Sequence, residues 1–263
     1  MANNTPVHFF DLLSDLPGKS WSPNTFKTRM VLNYKGIPYT QSYISYPDIA
    51  PLLRNLSVPA GEGHVEYTLP AIIHPSVTSN PNGALMDSLP IAVHLDEQFP
   101  ERPLFPNGNA SYALAIAVEK IIYDASFVGV RLLLTAIKDE LDPRGREFYV
   151  KTRTERFGKP LSEVRPTDEG EIREIIDNMK KAIKPIVQML KGKDGKKGPF
   201  LEGETPSYAD LVVQSYLTWF WLVEQGIWRE VLELGDGEIK ALWNACFPWI
   251  EGKGVDKEWE VPK

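Results

Sequence analysis

Short apolar runs alternate with helical patterns along the first hundred residues. Residues 7–11 and 39–44 are apolar or β-rich runs of strand length. Residues 71–74 and 84–86 predict the two strands of a hairpin, with Asn82-Gly83 at the turn. With the helices described next, the order is strand, helix, strand, helix, hairpin and helix. That order predicts a small α/β unit.

Two helix starts in this part are marked by capping residues. Ser22-Pro23 places a serine at the N-cap and a proline in the first turn, and Gly36 ends the helix. Asp87-Ser88 opens a second helix that runs to about Gln98, directly after the hairpin. A weaker helical pattern covers residues 48–55 between them.

The second part of the chain is dominated by helical periodicity. Apolar residues recur in steps of four and three over about six turns, at Leu114, Val118, Ile121, Ala125, Val128 and Leu132. This spacing predicts one long helix with a single buried stripe.

Three further helices are predicted after it. One covers residues 169–190, where Pro185 marks a kink or a first turn. Another begins at Ser207, which matches a capping box with Asp210, and it is apolar nearly all round over residues 211–223. We therefore expect that helix at the centre of a bundle. A short helix covers residues 238–250.

The composition changes between the two parts. More than half of the 22 prolines lie in residues 1–100, whereas charged residues are concentrated after residue 100. The proline-rich stretch 100–106 predicts a stiff linker. We therefore expect one α/β domain over residues 1–100 and one all-helical domain over residues 106–263.

Charge and hydropathy exclude several classes of function. A net charge of −6 over 263 residues argues against nucleic-acid binding, and the one basic run, 191–197, is a glycine-containing stretch that predicts a solvated loop. No apolar run reaches the roughly 18 residues of a membrane-spanning helix, and the first residues show no secretory pattern. The single cysteine, Cys246, excludes an internal disulfide. We expect a cytoplasmic protein that acts on small molecules.

Common catalytic patterns are absent from the sequence. It contains no GxGxxG, P-loop, GxSxG or HExxH pattern. The four histidines lack the spacing of metal ligands, so we expect no metal site. Cys246 lies among aromatic residues, which is typical of a buried structural cysteine.

Four segments, in this order, resemble the cytosolic glutathione transferases. They are Ser22-Pro23-Asn24-Thr25 at a helix start, Leu69-Pro70-Ala71-Ile72 at a strand start, Asp87-Ser88 after the hairpin, and residues 198–210 ahead of an apolar helix. Together they extend over nearly the whole chain. The resemblance implies an α/β thioredoxin-like N-terminal domain, an all-α C-terminal helical bundle, glutathione as co-substrate, and a homodimer.

Within this resemblance, Ser22 takes the position of the active-site serine of the serine-type classes. A thiol with a pKa of about 8.5 is only a few per cent ionised at pH 7. A helix N-terminus and a hydroxyl that donates to the sulfur both favour the thiolate. The alternative is that Ser22 is only an N-cap, and Ser20, Asn24 and Thr25 compete locally for the role.

The resemblance also implies which residues hold glutathione. Leu69-Pro70 is similar to the cis-proline site, where the Leu69 backbone pairs with the cysteinyl unit. Ser88 and its helix start hold the γ-glutamyl carboxylate, while Asp87, one methylene shorter than the glutamate of many members, faces the ammonium. His64 and Arg54 are candidates for the glycine carboxylate, and Asn24 is a further candidate contact.

The second substrate is expected in an apolar pocket between the two domains. Its candidate lining is aromatic: Tyr123 and Phe127, four residues apart on the long helix, with Trp219 and Trp221. Aromatic residues at helical spacing more often belong to a buried core, which is the alternative here.

The resemblance implies conjugation of glutathione to small hydrophobic or aromatic electrophiles, with ether cleavage or peroxide reduction as related activities. Residues 22–29 and 32–36 look closest to the etherase-related, fungal-specific class. Serine cannot form a mixed disulfide with glutathione, as a cysteine at this position would, so deglutathionylation is disfavoured. The alternative is a ligandin-type carrier that binds hydrophobic polyphenols without turnover. A scaffolding relative is less favoured, because it would normally lack the hydroxyl at residue 22.

Overall fold

The structure, a computed structural model, describes residues 6–63, 65–193 and 195–262. The chain forms two compact units. The first contains the chain up to Pro103, Glu140–Tyr149 and the segment from Trp249 onward; the second contains Leu104–Asp139 and Val150–Pro248. The predicted fold class, a thioredoxin-like α/β domain with a helical domain after it, is confirmed.

The first unit is built on a mixed sheet. Its strands are β1 (Val7–Leu12), β2 (Tyr39–Ile44), β3 (Ala71–Ile73), β4 (Ala84–Met86) and β5 (Val255–Asp256). They lie in the order β4-β3-β1-β2-β5. Strand β1 is parallel to β2 and antiparallel to β3, and β3 is antiparallel to β4. Strand β5 pairs in parallel with β2. The sequence patterns did not predict β5, because two exposed residues carry no alternation.

Three helices accompany this sheet: α1 (Pro23–Lys35), α2 (Ile49–Asn55) and α3 (Ser88–Gln98). All three were predicted. Helix α1 begins and ends at the expected residues: Pro23 is the first helical residue, and Gly36 ends the helix with a φ of 69°. Glycine adopts that left-handed conformation without a steric clash.

The connection between β3 and β4 is longer than the turn that Asn82-Gly83 predicts. It covers residues 74–83, and the His74 amide donates to the Gly83 carbonyl across its base. Pro75 and Pro81 lie within it and lack the amide that a continued strand ladder needs. The strands are therefore short, and the loop replaces a two-residue turn.

The C-terminal segment covers the outer edge of β2. The Asn33 amide nitrogen donates to the carbonyls of Trp249 (2.7 Å) and Glu251 (2.6 Å). Beyond β5, the Lys257 amide donates to the Gln41 carbonyl at 2.8 Å. An edge strand that would otherwise present unpaired backbone groups is thus paired within the chain.

The second unit is helical. Its helices are α4 (Asn109–Val128), α5 (Val130–Ala136), the later turns of α6 (Pro143–Phe157), α7 (Glu169–Lys191), α8 (Tyr208–Val223), α9 (Gln225–Leu232) and α10 (Glu238–Cys246). Helix α4 packs against α7 and α8.

The prediction of one continuous helix through residues 114–132 is wrong. The chain breaks at Gly129, between α4 and α5. A Cβ at Gly129 would clash with the Met179 sulfur, so α7 packs directly against the backbone there. The predicted stripe is also partly wrong: Val118 and Ala125 are buried, whereas Val128, next to the break, is 41% exposed.

Helix α8 is the buried centre of this unit, as predicted. It is buried from Tyr208 to Phe220. At its start the Asp210 carboxylate accepts from the Ser207 amide (2.8 Å), the Ser207 hydroxyl (3.0 Å) and the Leu201 amide (2.7 Å). The predicted Ser207–Asp210 cap is therefore confirmed. Burial raises the pKa of Asp210 to about 6.

Candidate active site

Three of the predicted site segments meet at one end of the sheet. Ala71, the first residue of β3, pairs with Phe10 near the end of β1 and with Met86 at the end of β4. The end of β1, the start of β3 and the end of β4 are therefore neighbours. The segments that leave or enter the sheet at this end are the β1–α1 loop ending at Ser22, Leu69-Pro70, and Asp87-Ser88.

Ser22 is the N-cap residue of α1 by position, but its side chain does not cap the helix. It has extended backbone angles (φ −74°, ψ 132°), is 8% exposed, and accepts no hydrogen bond from the first turn. Within the described residues its hydroxyl makes no hydrogen bond at all. The amides at the start of α1 and the Ser22 hydroxyl are therefore available to an anion.

The local competitors of Ser22 have other partners or positions. The Ser20 hydroxyl donates to the buried Asp11 carboxylate. The Thr25 hydroxyl donates to the Ser22 carbonyl at 3.2 Å, and Thr25 is fully buried. Asn24 is exposed on the first turn of α1. The geometry thus leaves Ser22 as the hydroxyl of this segment that is free to donate to a bound group.

The Leu69-Pro70 peptide bond is cis, as expected. Within the described part of the chain, the Leu69 backbone amide and carbonyl make no hydrogen bond. The next carbonyl, that of Pro70, accepts a bond of 3.1 Å from the Asp87 amide. An extended peptide that lies beside Leu69 therefore finds an unused donor and an unused acceptor.

Asp87 has a backbone conformation that is rare for a residue with a side chain. Its φ is 77° and its ψ is 135°, a region occupied almost only by glycine. Its exposed carboxylate accepts a bond of 3.1 Å from the Thr68 hydroxyl and does not cap α3. Ser88 is the first residue of α3, so this helix also begins without a side-chain cap. Strain of this kind is concentrated at functional sites.

Of the two candidates for the glycine carboxylate, Arg54 lies within the described residues. Arg54, near the end of α2, is 3.6 Å from the Glu66 carboxylate, and its guanidinium lies 5.0 Å from the Tyr67 ring centre. Its side chain is 61% exposed. It therefore lies against the loop that leads into Leu69. His64 lies outside the described residues.

Two family models match the chain, one over each half. The N-terminal domain model of glutathione S-transferase matches residues 21–98, and the C-terminal domain model matches residues 113–249. The chain belongs to the glutathione S-transferase family. The glutathione S-transferase-like protein ustS of Aspergillus flavus is 56% identical over 265 residues, which cover 98% of this chain and 96% of that protein.

Solved transferases from two other fungi share the fold. A glutathione S-transferase of Ceriporiopsis subvermispora, crystallised with glutathione, is 28% identical with a TM-score of 0.81, over 93% of this chain and 97% of that one. The glutathione transferase GSTFuA2 of Phanerochaete chrysosporium is 26% identical with a TM-score of 0.80, over 94% of this chain and 99% of that one.

In this chain an aromatic cluster lies next to Ser22. The buried ring of Trp21 is 6.3 Å from Tyr46 and 6.5 Å from Tyr149. Phe148, 40% exposed, stacks on Tyr46 at 6.1 Å with an interplanar angle of 15°. The sequence analysis missed this cluster. Trp21 could have been noticed beside Ser22, but nothing local indicates that residues 148 and 149 return to it.

The four aromatic residues predicted to line the second-substrate pocket do not form one surface. Tyr123 and Phe127 are about half exposed on α4, with their rings stacked at 6.3 Å. Trp219 is 6% exposed and contacts Tyr216 and Phe220. Trp221 instead packs against Trp228, Trp243 and Phe247. Residues two positions apart on a helix are rotated by about 200° around its axis, so Trp219 and Trp221 face different sides of α8.

The described residues contain no group of three or more His, Cys, Asp or Glu side chains that could hold a metal ion. His74 and His94 form a hydrogen-bonded pair, with a distance of 2.9 Å between Nδ1 and Nε2. Burial lowers the pKa of both, that of His94 to about 4. The described part of the chain also has no helix long and apolar enough to cross a membrane.

Proposed function

We propose that this transferase binds glutathione at the sheet end described above and that Ser22 activates its thiol. One observation carries the proposal: the Ser22 hydroxyl and the first turn of α1 have no intramolecular cap, beside a cis-proline and a strained Asp87. The start of α3 at Ser88, at the same end of the sheet, likewise has no side-chain cap. The site at Ser22 is therefore left open to an external anion.

The proposed chemistry starts with ionisation of the glutathione sulfur. A free thiol has a pKa of about 8.5, and each unit of lowering is about 1.4 kcal/mol in favour of the thiolate. The amide dipoles of α1 supply positive potential, and the Ser22 hydroxyl donates a hydrogen bond to the sulfur. Serine does not become covalently attached, so the sulfur remains the nucleophile.

The rest of the tripeptide is proposed to extend across the same sheet end. The Leu69 backbone pairs with the cysteinyl unit like an added strand. Ser88 and the start of α3 bind the γ-glutamyl carboxylate, while the Asp87 carboxylate faces the ammonium. Arg54 binds the glycine carboxylate, with His64 as its alternative, and Asn24 is a further contact on α1.

The proposed reaction is nucleophilic attack on a hydrophobic or aromatic electrophile. The thiolate forms a carbon–sulfur bond while the leaving group departs with the bonding electron pair. Cleavage of an activated ether follows the same steps, with an alkoxide or phenoxide as the leaving group. Peroxide reduction begins with the same thiolate, which attacks a peroxide oxygen and expels an alkoxide; a second glutathione then converts the sulfenic acid to glutathione disulfide and water. The half-exposed Tyr123 and Phe127 are candidates to contact the second substrate. Membership of the serine-type, etherase-related class and a homodimeric state are part of the proposal.

Kinetics of paired variants test the role of Ser22. With glutathione and an aryl or benzyl halide, Ser22→Ala should lower kcat/KM at least tenfold and raise the pKa of the bound thiol, measured from thiolate absorbance. Ser22→Thr, which keeps a hydroxyl, should retain more activity. Asp15→Ala, which changes an exposed side chain of the β1–α1 loop outside the proposed site, is the control and should leave kcat/KM nearly unchanged.

The same assay separates the enzyme from the carrier. A wild-type protein that binds polyphenols but shows no turnover with several electrophiles would favour the ligandin-type function, which the exposed Tyr123–Phe127 pair also suits. Full activity in Ser22→Ala would refute the assigned role of Ser22 while leaving family membership intact.

A further inference from the structure

A buried carboxylate lies behind the proposed sulfur site. Asp11 is the penultimate residue of β1, and it is fully buried. Its Oδ1 accepts a bond of 2.6 Å from the Leu12 amide. Its Oδ2 accepts from the Ser20 hydroxyl and, at 2.6 Å, from Nη2 of Arg29. A fully buried charged group is costly unless it is paired, and here each carboxylate oxygen has a partner.

The first partner, Ser20, ties the loop that leads to Ser22. That loop connects β1 to α1. Its first part is held by the Leu13 amide, which donates to the Ile44 carbonyl at 3.0 Å, and by the Asp15 amide, which donates to the Glu140 carbonyl at 2.7 Å. Ser20 is 7% exposed and lies two residues before Ser22. Its bond to Asp11 fixes the last part of the loop to the sheet.

The second partner, Arg29, lies on α1, the helix that begins just after Ser22, and joins it to β1. Arg29 is 1% exposed, and among the described residues Asp11 is its ion-pair partner. Its Nη2 also donates to the Tyr43 hydroxyl at 3.2 Å. At Gly252 an added Cβ would lie 2.5 Å from Nη1, so the C-terminal segment confines the guanidinium from the other side. Arg29 therefore has little freedom to move.

We propose that Asp11 is a positioning residue for Ser22, because it joins the chain just before Ser22 to the helix just after it through Ser20 and Arg29. This inference rests on the proposed function. Asp11 touches neither glutathione nor the electrophile in this scheme. It sets the place of the Ser22 hydroxyl and of the first amides of α1 relative to the sheet end.

Positioning matters here because hydrogen bonds to the sulfur depend steeply on distance and angle. A misplacement of about 1 Å can lower a rate by about a hundredfold. The loss of the Asp11 charge by itself predicts a lower thiol pKa, whereas the loss of position predicts a higher one. Removing the negative charge of Asp11 leaves Arg29 unpaired, and that positive charge by itself would lower the thiol pKa. A rise in the thiol pKa therefore identifies loss of geometry.

Two variants and one control test the inference. Asp11→Asn keeps the size of the side chain, and Ser20→Ala removes one tether without changing any charge. We expect both variants to raise the pKa of the thiol of bound glutathione. We expect kcat to fall at least tenfold in Asp11→Asn and several-fold in Ser20→Ala. The control is Asp96→Asn, which breaks the ion pair of 2.7 Å with the buried Lys35 at the other end of α1. It should leave the thiol pKa and kcat of the folded protein unchanged.

The outcomes separate this inference from the proposed function. If wild type is active and Ser22→Ala is impaired, but Ser20→Ala and folded Asp11→Asn keep the wild-type thiol pKa and kcat, the positioning role is wrong. If Asp11→Asn does not fold, Ser20→Ala alone decides in the same way. An Asp96→Asn variant with an equal rise in thiol pKa would also overturn it, because the effect would then belong to α1 as a whole. No thiolate formation in wild type would instead refute the proposed function.

Discussion

The backbone amide of Asp87 donates a hydrogen bond of 3.1 Å to the carbonyl of Pro70. This bond joins the residue after β4 to the cis-proline before β3, and it accompanies the positive φ of Asp87. The Asp87 carboxylate is consequently held at the surface of the sheet end, where the Thr68 hydroxyl donates to it. Two segments far apart in sequence are thereby fixed relative to each other.

Replacement of Asp87 by asparagine should weaken glutathione binding. Asparagine tolerates positive φ, so Asp87→Asn removes the charge with little effect on the backbone. We expect KM for glutathione to rise about tenfold with kcat little changed, because the ammonium contact is made equally in ground and transition states. Asp15→Asn, an exposed carboxylate in the β1–α1 loop, is the control for general electrostatic attraction. Equal KM values for the two variants would contradict a specific contact.

His8 should make the protein less stable in mild acid. Burial, assisted by the charge of Lys257, lowers the pKa of His8 from 6.5 to about 4. Its Nδ1 is 2.7 Å from the Thr40 hydroxyl and its Nε2 is 3.0 Å from the Ser42 hydroxyl. Ser42 donates its proton to the Lys257 carbonyl, so the ring donates from Nε2 and accepts at Nδ1 in the neutral form.

The sign of this pH effect follows from proton binding. Between pH 6.5 and about 4 the unfolded chain protonates His8 while the folded chain does not, so stability falls as the pH falls through this window. We expect wild type to lose about 2–3 kcal/mol relative to His8→Gln between pH 7 and pH 4.5. Urea unfolding of both proteins at the two pH values measures this difference. Parallel losses in the two proteins would show that His8 is not the group responsible.

Two glycine substitutions should have opposite effects on stability. Gly129→Ala places a Cβ against the sulfur of the buried Met179, and overpacking of this kind costs about 1–3 kcal/mol. Gly226 is exposed in α9, and a Cβ added there would meet nothing within 4 Å, so Gly226→Ala should be neutral or stabilise by up to about 1 kcal/mol. Thermal unfolding of the two variants checks the contrast. A Gly129→Ala protein as stable as wild type would mean that the Met179 side chain moves aside without cost.

The helix and strand starts were readable from the sequence because they depend on local chemistry. Pro23 and Gly36 act through backbone angles that are intrinsic to proline and glycine, and both bound α1 as predicted. The capping pair Ser207 and Asp210 likewise acts within one turn. The break at Gly129 was not readable, because the apolar repeat continues across it and the contact with Met179 exists only in the folded chain.

The same distinction between local and long-range interactions applies to the candidate site. The sequence by itself determined the local features from which the candidate site was predicted: the helix starts at Ser22-Pro23 and Asp87-Ser88, and the X-Pro bond of Leu69-Pro70. Only the tertiary structure decided that Ser22 leaves its helix uncapped and that Asp11 binds Ser20 and Arg29 at once. It also decided that the C-terminal segment pairs with β2. The physical reason is range: capping and turn preferences act over a few residues, whereas buried ion pairs and sheet edges join residues that only the folded chain brings together.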